Sequence, residues 1–442
     1  MANVLLTTRC NLRCAYCFAQ ERLLENRNQA MTVPDAAKVI AFLKRSDHPI
    51  FRAMGGEPTL HPEFPVILQM ALAEGMRVDL LSNATWFESC NTLFGRISPR
   101  RLFFLLNIDH PQNYLPRVWQ RIERNLAAIA GRGSITLSFN IFEMQPRYEY
   151  LLDLLRTYQI KNVRLSFSIL VVGIHNAHLS LEECRQMGPF VVQFVRQTEP
   201  LGVEVRMDNA FPLCIFNDQQ TGELLTKGVF DLKRNARCEP VIDIGPDLSV
   251  WCCFCLSSLW NRRLGEFENL QEMQVFYRQA MGRYQDRLYP LDECYQCRHR
   301  KLWGCQGGCL SYAILKHGDI TSREADQPAA PDAWRPGTVL ALAPDVEIQH
   351  YDLPDDSYAV HKTSSGLEME VDGSFRSLLE LLDGTRSANE VVDRFVENSS
   401  DSRIRDPLAQ LTAKAMHQGA HDLLSGLRHQ GFVEERPCRP HR

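Results

Sequence analysis

Cysteines with unusually short spacing stand near the start of this chain. The stretch RCNLRCAYCF places Cys10, Cys14 and Cys17 so close together that one loop can direct three thiolates at a common point. Thiolates are soft ligands that suit zinc or iron–sulfur clusters. A zinc site would need a second CxxC pair or later histidines nearby, and neither is present. Three thiolates on a four-iron cluster would leave one iron open to a substrate or a cofactor.

A second group of cysteines lies in the middle of the chain. Of the 15 cysteines, eight fall between 238 and 309, in CEPVIDIGPDLSVWCCFC and CYQCRHRKLWGCQGGC. Clustering with CxxC spacing predicts a metal centre, and structural zinc stays open beside iron–sulfur. The isolated cysteines are interpreted as small buried or terminal residues, with Cys214 the nearest of them to this second group: Cys90, Cys184, Cys214 and Cys438.

Composition narrows the classes of protein that fit. The chain has 442 residues, a net charge of −4 and 23% charged residues, which is ordinary for a globular protein and gives no reason to expect nucleic acid as a partner. No apolar run has the length of a membrane span, and MANVLLTTRC lacks the pattern of a signal peptide. We therefore expect a cytoplasmic protein with reduced thiols and no membrane partner.

The elements that must position these residues alternate between strands and helices. The predicted strands are Ala2–Leu6, Ile50–Met54, Arg77–Leu81, Leu102–Asn107, Ile135–Ile141, Val163–Ile169 and Val203–Met207. The predicted helices are Thr32–Lys44, Glu63–Glu74, Val118–Ile129 and Leu181–Thr198. This alternation predicts an α/β fold with a parallel sheet, here a partial (β/α)6 TIM-like barrel with its chemistry at the carboxyl ends of the strands.

The motif CNLRCAYC resembles the CxxxCxxC signature of the radical S-adenosylmethionine (SAM) superfamily, with an aromatic residue before the last cysteine. The resemblance implies that Cys10, Cys14 and Cys17 hold a [4Fe–4S] cluster whose open iron binds the methionine moiety of SAM. It also implies reductive cleavage of the sulfonium to a 5′-deoxyadenosyl radical. The electron would come from a reductase, a ferredoxin or a flavodoxin.

Later motifs extend this resemblance. Met54-Gly55-Gly56-Glu57-Pro58 matches the GGEP motif of the family, and Ser82-Asn83-Ala84-Thr85 resembles its TNGT stretch. The cofactor-binding residues that the resemblance implies are Tyr16, Gly55, Gly56, Glu57, Pro58, Ser82, Asn83, Asn107 and Asp109. Asn140 and Ser166 lie where the family often has further contacts, although both also fit ordinary strand residues.

The second cysteine group resembles the SPASM extension of many radical SAM enzymes that act on peptides or proteins. That resemblance assigns Cys238, Cys253 and Cys309 to a first auxiliary cluster, and Cys294, Cys297 and Cys305 to a second. Cys252 and Cys255 are additional, and either can complete the first cluster; our set of metal ligands includes Cys255. The family's final cysteine is missing, so the second cluster is ligated by Asp319 or Asp326, keeps an open iron, or is absent.

The C-terminal part resembles the PqqD-like family, a small winged-helix fold that recognises precursor peptides. The resemblance rests on an alternating segment at Tyr358–Val371, helices at Ser374–Asp383 and Ala388–Glu397, the turn sequence LLDGTRS, and a helical pattern at Pro407–Gln430. The mixed charges of 376–397 argue against DNA binding. The expected domains are a barrel at 1–215, a SPASM-like extension at 216–325, a linker at 326–337 and a peptide-recognition domain at 338–442.

These features together predict a radical SAM maturase of a ribosomal precursor peptide. We expect it to install an oxidative thioether or a carbon–carbon crosslink, with one or two auxiliary clusters that accept an electron and shape the cleft. No general base or hydrogen donor is identified. The alternatives are a radical enzyme acting on a folded protein, as in sulfatase maturation, or on a tetrapyrrole side chain, and a non-catalytic iron–sulfur scaffold or regulator.

Overall fold

The chain forms two compact units in the computed structural model, Met1–Pro328 and Ala329–Arg442. The structure describes residues 1–19, 29–172, 175–285, 287–317, 339–350, 358–362, 367–371, 373–399, 424 and 433–436. The predicted linker at 326–337 lies outside these described residues.

A ten-stranded sheet organises the first unit. Its strands are β1 (Ala2–Thr7), β2 (Ile50–Gly55), β3 (Arg77–Ser82), β4 (Leu102–Asn107), β5 (Ile135–Ile141), β6 (Asn162–Phe167), β7 (Glu204–Met207), β8 (Ile242–Ile244), β9 (Ser249–Cys252) and β10 (Arg262–Arg263). Strands β1 to β7 pair in chain order and in parallel, as strand–helix alternation predicts. This large parallel sheet is consistent with the predicted partial barrel.

The cysteine-rich region adds strands to the same sheet. Strand β8 pairs in parallel with the free side of β1, and β9 and β10 continue from it as antiparallel neighbours. Asn3 of β1 donates to the carboxylate of Asp243 in β8 at 2.7 Å inside this junction. The second cysteine group is therefore built directly onto the first strand of the sheet.

Helices connect the strands of the first unit. They span Val33–Arg45, Phe64–Ala73, Glu88–Gly95, Pro116–Ile129, Glu149–Thr157, Leu181–Cys184, Gly188–Thr198, Asp218–Thr226, Leu232–Ala236, Leu270–Gln285, Arg298–Trp303 and Leu310–His317. Thr32 caps the first of them, since its hydroxyl accepts the Asp35 N–H at 3.1 Å. Within the described residues no helix is both long and apolar enough to cross a membrane.

One predicted helix is wrong in its extent. The pattern at Leu181–Thr198 predicts a single helix, but the structure has two, Leu181–Cys184 and Gly188–Thr198. Pro189 stands at the start of the second helix, where its missing N–H and fixed φ are tolerated, whereas in the interior of a single helix they would break it.

The second unit contains two small sheets and two helices. The strands are β11 (Val339–Leu342), β12 (Val346–His350), β13 (Tyr358–Lys362), β14 (Leu367–Val371), β15 (Asp383–Ser387) and β16 (Val433–Arg436). They form sheets of order β15-β11-β16 and β12-β13-β14, with helices at Gly373–Glu380 and Ala388–Ser399. Leu340, Leu378 and Val391 belong to its own buried core. The predicted helix at Pro407–Gln430 lies outside the described residues except for Leu424.

Candidate iron–sulfur and cofactor site

The first cysteine loop begins where β1 ends, at the carboxyl edge of the parallel sheet. Its chain turns tightly, because the Cys17 N–H donates to the Cys14 carbonyl at 3.0 Å. Burial raises the pKa of Cys10 to about 11 and that of Cys14 to about 12, and the neighbouring thiols add to both shifts. The structure therefore places the three predicted cysteines in one short loop, where their thiols interact electrostatically.

Two glycines at the end of β2 support this loop. The N–H of Gly56 donates to the Thr7 carbonyl at 2.8 Å, and the N–H of Glu57 donates to the Arg9 carbonyl at 2.7 Å. A Cβ on Gly56 would lie 2.1 Å from the Arg9 oxygen, and one on Gly55, whose φ is +147°, would lie 2.3 Å from the Thr7 oxygen. Only residues without a Cβ allow this close approach of the two loops.

Glu57 joins the ends of β2 and β3. Its side chain is fully buried. Its carboxylate accepts the Thr59 hydroxyl at 2.6 Å, the Ser82 hydroxyl at 2.9 Å and the Asn83 N–H at 2.8 Å. Burial raises the pKa of Glu57, and these hydrogen bonds oppose the shift. Glu57, Ser82 and Asn83 thus form one hydrogen-bonded unit, and a direct contact of Glu57 with a ligand amino group stays a prediction.

A network around Asn11 links the cysteine loop to the end of β3, and sequence reasoning missed it. The Asn11 amide donates to the Thr85 hydroxyl at 2.8 Å and accepts from the Asn83 amide at 3.1 Å. Ala84 stands where the resembled motif has glycine, and its φ is +61°, in the left-handed region that favours glycine. Short polar residues between cysteines were the available signal for this network.

The remaining predicted cofactor residues line neighbouring strand ends. The Asn140 amide donates to the Asn107 amide oxygen at 3.3 Å. Asp109 accepts from the His110 N–H at 2.8 Å, and its charge acts on both Cys14 and Tyr16. The Tyr16 hydroxyl lies beside the Cys14 thiol and lowers its pKa, against the larger effect of burial. Asn107, Asp109 and Tyr16 therefore lie on the side of the sheet that carries the cysteine loop.

Ser166, at the end of β6, is a further buried polar group on this edge. Its hydroxyl is buried and has no hydrogen-bond partner among the described residues. Buried hydroxyls are normally satisfied, so an unpartnered one at the carboxyl edge of the sheet fits a cleft that accommodates a polar ligand. Pro58 begins a short 3₁₀ helix at Pro58–Leu60 and completes the predicted set.

Five cysteines of the second group, three of them buried, lie close together: Cys238, Cys252, Cys253, Cys255 and Cys309. Cys309 accepts hydrogen bonds from Cys238 and Cys255, which lower its pKa well below the ordinary value. Hydrogen bonds from Cys252 and Cys255 lower the pKa of Cys253 to about 5. The same hydrogen bonds raise the pKa of Cys238 and Cys255 well above the ordinary value, so the five thiols interact as one group.

The structure distinguishes the two additional cysteines of this group. Cys255 contacts both Cys253 and Cys309, two of the ligands that the resemblance implies. The Cys252 sulfur lies 3.3 Å from the Met281 sulfur and also contacts Cys253. Cys255 is therefore better placed than Cys252 to act as the fourth ligand beside Cys238, Cys253 and Cys309.

Cys294, Cys297 and Cys305 lie together in a separate group. The Cys297 N–H donates to the Cys294 carbonyl at 3.2 Å in a tight turn. Burial raises the pKa of both Cys294 and Cys305, with a further contribution from Cys297. The structure also brings Cys214, which sequence reasoning interpreted as isolated, to these three residues. Asp319 and Asp326, the predicted alternative ligands, lie outside the described residues.

The donor chemistry of the three groups fits iron–sulfur clusters. Within the described part of the chain, no three His, Cys, Asp or Glu side chains converge on the position of a single metal ion. A four-iron cluster binds each thiolate at a separate corner, so its ligands need not converge in that way. Three thiols in the first group and four in the second match the ligand sets that such clusters take.

Comparison with protein families identifies the class of the N-terminal region. Residues 4–141 match the model of the Radical SAM superfamily. These residues contain the first cysteine loop, the GGEP motif, most of β1 and all of β2 to β5. The chain therefore carries a radical SAM domain, for which a [4Fe–4S] cluster and SAM are the implied cofactors.

Two curated relatives match a short part of the chain. The chain is 35% identical over 83 residues to Fe-coproporphyrin III synthase of Methanosarcina barkeri, which covers 19% of this chain and 21% of that protein. It is 36% identical over 70 residues to GTP 3′,8-cyclase of Chlorobaculum tepidum, covering 16% of this chain and 21% of that protein. The chain thus matches only about a fifth of the length of these relatives.

A solved structure shares the fold over a longer span. Streptococcus suis SuiB bound to precursor peptide SuiA superposes with a TM-score of 0.50 at 14% identity. The match covers 72% of this chain and 73% of that chain. At this identity the likeness shows the fold alone.

Proposed function

We propose that this protein is a radical SAM enzyme that modifies a ribosomally made precursor peptide. The observation that carries the proposal is the seating of the Cys10–Cys17 loop on Gly55 and Gly56, at the carboxyl edge of the sheet. Three thiols held there leave one corner of a four-iron cluster for SAM, and the match of residues 4–141 to the Radical SAM superfamily supports this use.

The residues of this chain would divide the work of holding the cofactors. When bound, the cluster and SAM supply a 5′-deoxyadenosyl radical that abstracts a hydrogen atom. Cys10, Cys14 and Cys17 bind the iron, and each thiol releases its proton as it binds. The glycines admit the methionine moiety close to the backbone, while Asn107 and Asp109 offer polar atoms to the ribose. The buried strand ends around Ser166 exclude water from the reactive carbon.

The auxiliary cysteine groups support an oxidative outcome. Removing a hydrogen atom from the peptide leaves a carbon radical, and closing a thioether or carbon–carbon bond from it releases one further electron and a proton. Clusters at Cys238, Cys253, Cys255 and Cys309, and at Cys294, Cys297 and Cys305, can accept that electron. A ferredoxin, a flavodoxin or a reductase would supply the electron that starts the reaction. The bond formed is therefore proposed to be a crosslink.

The second unit is the proposed site of peptide recognition. Within the described strands, β12 and β14 each pair only with β13, so the sheet offers backbone groups at its outer edges. An extended leader peptide can add a strand to such an edge, a common mode of peptide recognition. The fold match to SuiB, whose structure was solved with precursor peptide SuiA, supports a peptide as the partner.

Truncation after Pro328, at the boundary between the two units, tests this recognition. We expect the affinity for the precursor peptide to fall by at least about 10-fold, or about 1.4 kcal/mol. Cleavage of SAM without peptide should persist, because the first unit has its own core and holds all three cysteine groups. Fluorescence polarisation with labelled peptides from short reading frames beside the gene gives the affinity. Equal affinity of truncated and full-length protein would remove the second unit from this role.

A tetrapyrrole side chain is the second candidate substrate. It is favoured by the 35% identity over 83 residues to Fe-coproporphyrin III synthase. A match of this length does not separate the activities, since GTP 3′,8-cyclase is 36% identical over 70 residues. Incubation with iron-coproporphyrin III separates the candidates, because loss of carboxyl groups from the porphyrin would support this second one.

A further inference from the structure

The second auxiliary group has three cysteines, and no fourth cysteine follows them within the SPASM-like region. After Cys309 the next cysteine is Cys438, so no downstream residue of the SPASM-like region supplies a fourth thiolate to Cys294, Cys297 and Cys305. The structure supplies a candidate from the opposite direction, upstream of the whole cysteine-rich region. This inference rests on the proposed presence of auxiliary iron–sulfur clusters.

The segment around Cys214 packs directly on the CxxxC loop. Cys214 lies in a short 3₁₀ helix, Leu213–Ile215, which follows β7. The Leu213 N–H donates to the Cys305 thiol, and the Gly307 N–H reaches the same sulfur at 3.4 Å. A Cβ on Gly308 would lie 3.0 Å from Pro212. The two segments therefore meet through the Leu213–Cys305 contact and the close packing of Gly308 on Pro212.

The CxxxC loop also packs closely against the segment that contains Cys294. A Cβ on Gly307 would lie 2.6 Å from Pro290 and 3.4 Å from the Cys294 sulfur. Three thiols, those of Cys305, Cys294 and Cys297, are close enough for their charges to raise the pKa of Cys214. Because Pro212 packs on Gly308 and Leu213 contacts Cys305, Cys214 lies beside the thiols of the second auxiliary group.

The Arg185 guanidinium near Cys214 is consistent with several negatively charged thiolates at this position. The Arg185 guanidinium acts on both Cys214 and Cys294, and it also forms an ion pair with Glu293 at 2.9 Å. Cys214 itself is only partly buried, so its thiol remains accessible while the group assembles.

We propose that Cys214 is the fourth thiolate ligand of the second auxiliary cluster, together with Cys294, Cys297 and Cys305. In binding, each of the four thiols loses its proton to solvent and forms one iron–sulfur bond, with no change in oxidation state. A cluster with all four corners ligated has no open iron for substrate. Its role is therefore electron transfer. Cys214 is not a ligand of the first auxiliary cluster.

The test uses the full chain with Cys10, Cys14 and Cys17 changed to alanine, so that only auxiliary clusters assemble. This background should hold roughly eight irons per chain after reconstitution with iron and sulfide. Adding Cys214→Ala should remove about one iron per chain on mild oxidation and produce the EPR signal of a three-iron cluster. Adding Cys214→Ser should shift the EPR spectrum of the reduced cluster while keeping its iron, because an alkoxide can replace the thiolate.

Cys184→Ala in the same background is the matched control. Cys184 is buried beside Cys214, but its strongest charged neighbours are Glu183, Cys214 and Glu182 rather than the other cluster cysteines. We expect the iron content and EPR spectrum of the background to be retained. Far-ultraviolet circular dichroism checks the folding of each variant, and loss of the second cluster in a folded Cys214→Ala variant also supports the assignment.

Identical iron content and EPR spectra in the Cys214→Ala variant, the Cys214→Ser variant and the background would overturn the assignment. Equal losses in Cys214→Ala and Cys184→Ala would also overturn it, because a general packing effect would then explain both. The proposed function is judged separately. A wild-type chain that assembles auxiliary clusters but releases no 5′-deoxyadenosine would count against the radical reaction and leave the ligand assignment intact.

Discussion

Replacing Cys14 by alanine is expected to abolish the reductive cleavage of SAM, with 5′-deoxyadenosine formation falling by about 1,000-fold or more, or about 4.1 kcal/mol in the barrier. Cys14 is the middle one of the three proposed ligands in the first loop, and its thiol interacts with both Cys10 and Cys17. With two thiolates left, the loop cannot hold a four-iron cluster that retains one open corner for SAM. Chromatography with mass detection, on reconstituted protein reduced by dithionite under anaerobic conditions, measures the product.

Cys90→Ala is the matched control for this experiment. Cys90 is a buried thiol of the same unit and packs in the hydrophobic core rather than in a cysteine group. Its replacement removes one sulfur from the core, at a cost of about 1 kcal/mol in stability, and should leave product formation within about 2-fold of wild type. Equal product from the Cys14→Ala variant and from wild type would show that the first loop is not the catalytic centre.

Gly56→Ala is expected to have the second largest effect, although it changes no ligand. The added methyl group would lie 2.1 Å from the Arg9 oxygen and 2.9 Å from the Cys10 Cβ. Because the first neighbour is backbone, the cysteine loop must move away from the GGEP segment. That movement breaks the 2.7 Å hydrogen bond from Glu57 to Arg9. We expect loss of most of the iron of the first cluster and at least about a 100-fold fall in 5′-deoxyadenosine formation, about 2.7 kcal/mol.

Gly222→Ala is the matched control, and it is expected to stabilise the protein rather than to disrupt it. Gly222 lies inside the helix Asp218–Thr226, and a Cβ there would meet nothing within 4 Å. Alanine at that position should stabilise the protein by about 0.5–1 kcal/mol and leave the iron content unchanged. Thermal unfolding and iron analysis of both variants measure the effects. A Gly56→Ala variant with wild-type iron content and activity would contradict the close packing of the two loops.

The position of the catalytic edge could be predicted from sequence because its determinants are local. A short apolar strand followed by closely spaced cysteines, and a second strand followed by Gly55 and Gly56, predict two loops at the same edge of a parallel sheet. The structure confirms that these strands are neighbours, with Leu5 opposite Met54. Parallel pairing places the carboxyl ends of consecutive strands side by side, so no further information was needed.

The features that could not be predicted from sequence depend on contacts between distant segments. Sequence periodicity does not reveal such contacts. The sequence LLDGTRS predicts a turn at the end of a helix; the helix does end, at Glu380, but Asp383–Ser387 then forms strand β15, paired with β11. Cys214 lies alone in sequence and joins Cys294 and Cys305 only through the packing of Pro212 on Gly308. The network around Asn11 likewise becomes visible only once β1 and β3 are placed on either side of β2.

The central claim is that this chain generates a 5′-deoxyadenosyl radical and takes a hydrogen atom from a peptide. The most direct measurement uses wild-type protein, SAM, a reductant and a uniformly deuterated precursor peptide from a short reading frame beside the gene. The account predicts 5′-deoxyadenosine that carries one deuterium and appears together with a peptide lighter by the abstracted hydrogens. Unlabelled 5′-deoxyadenosine with an unchanged peptide would contradict the peptide substrate, and no 5′-deoxyadenosine at all would contradict the radical reaction itself.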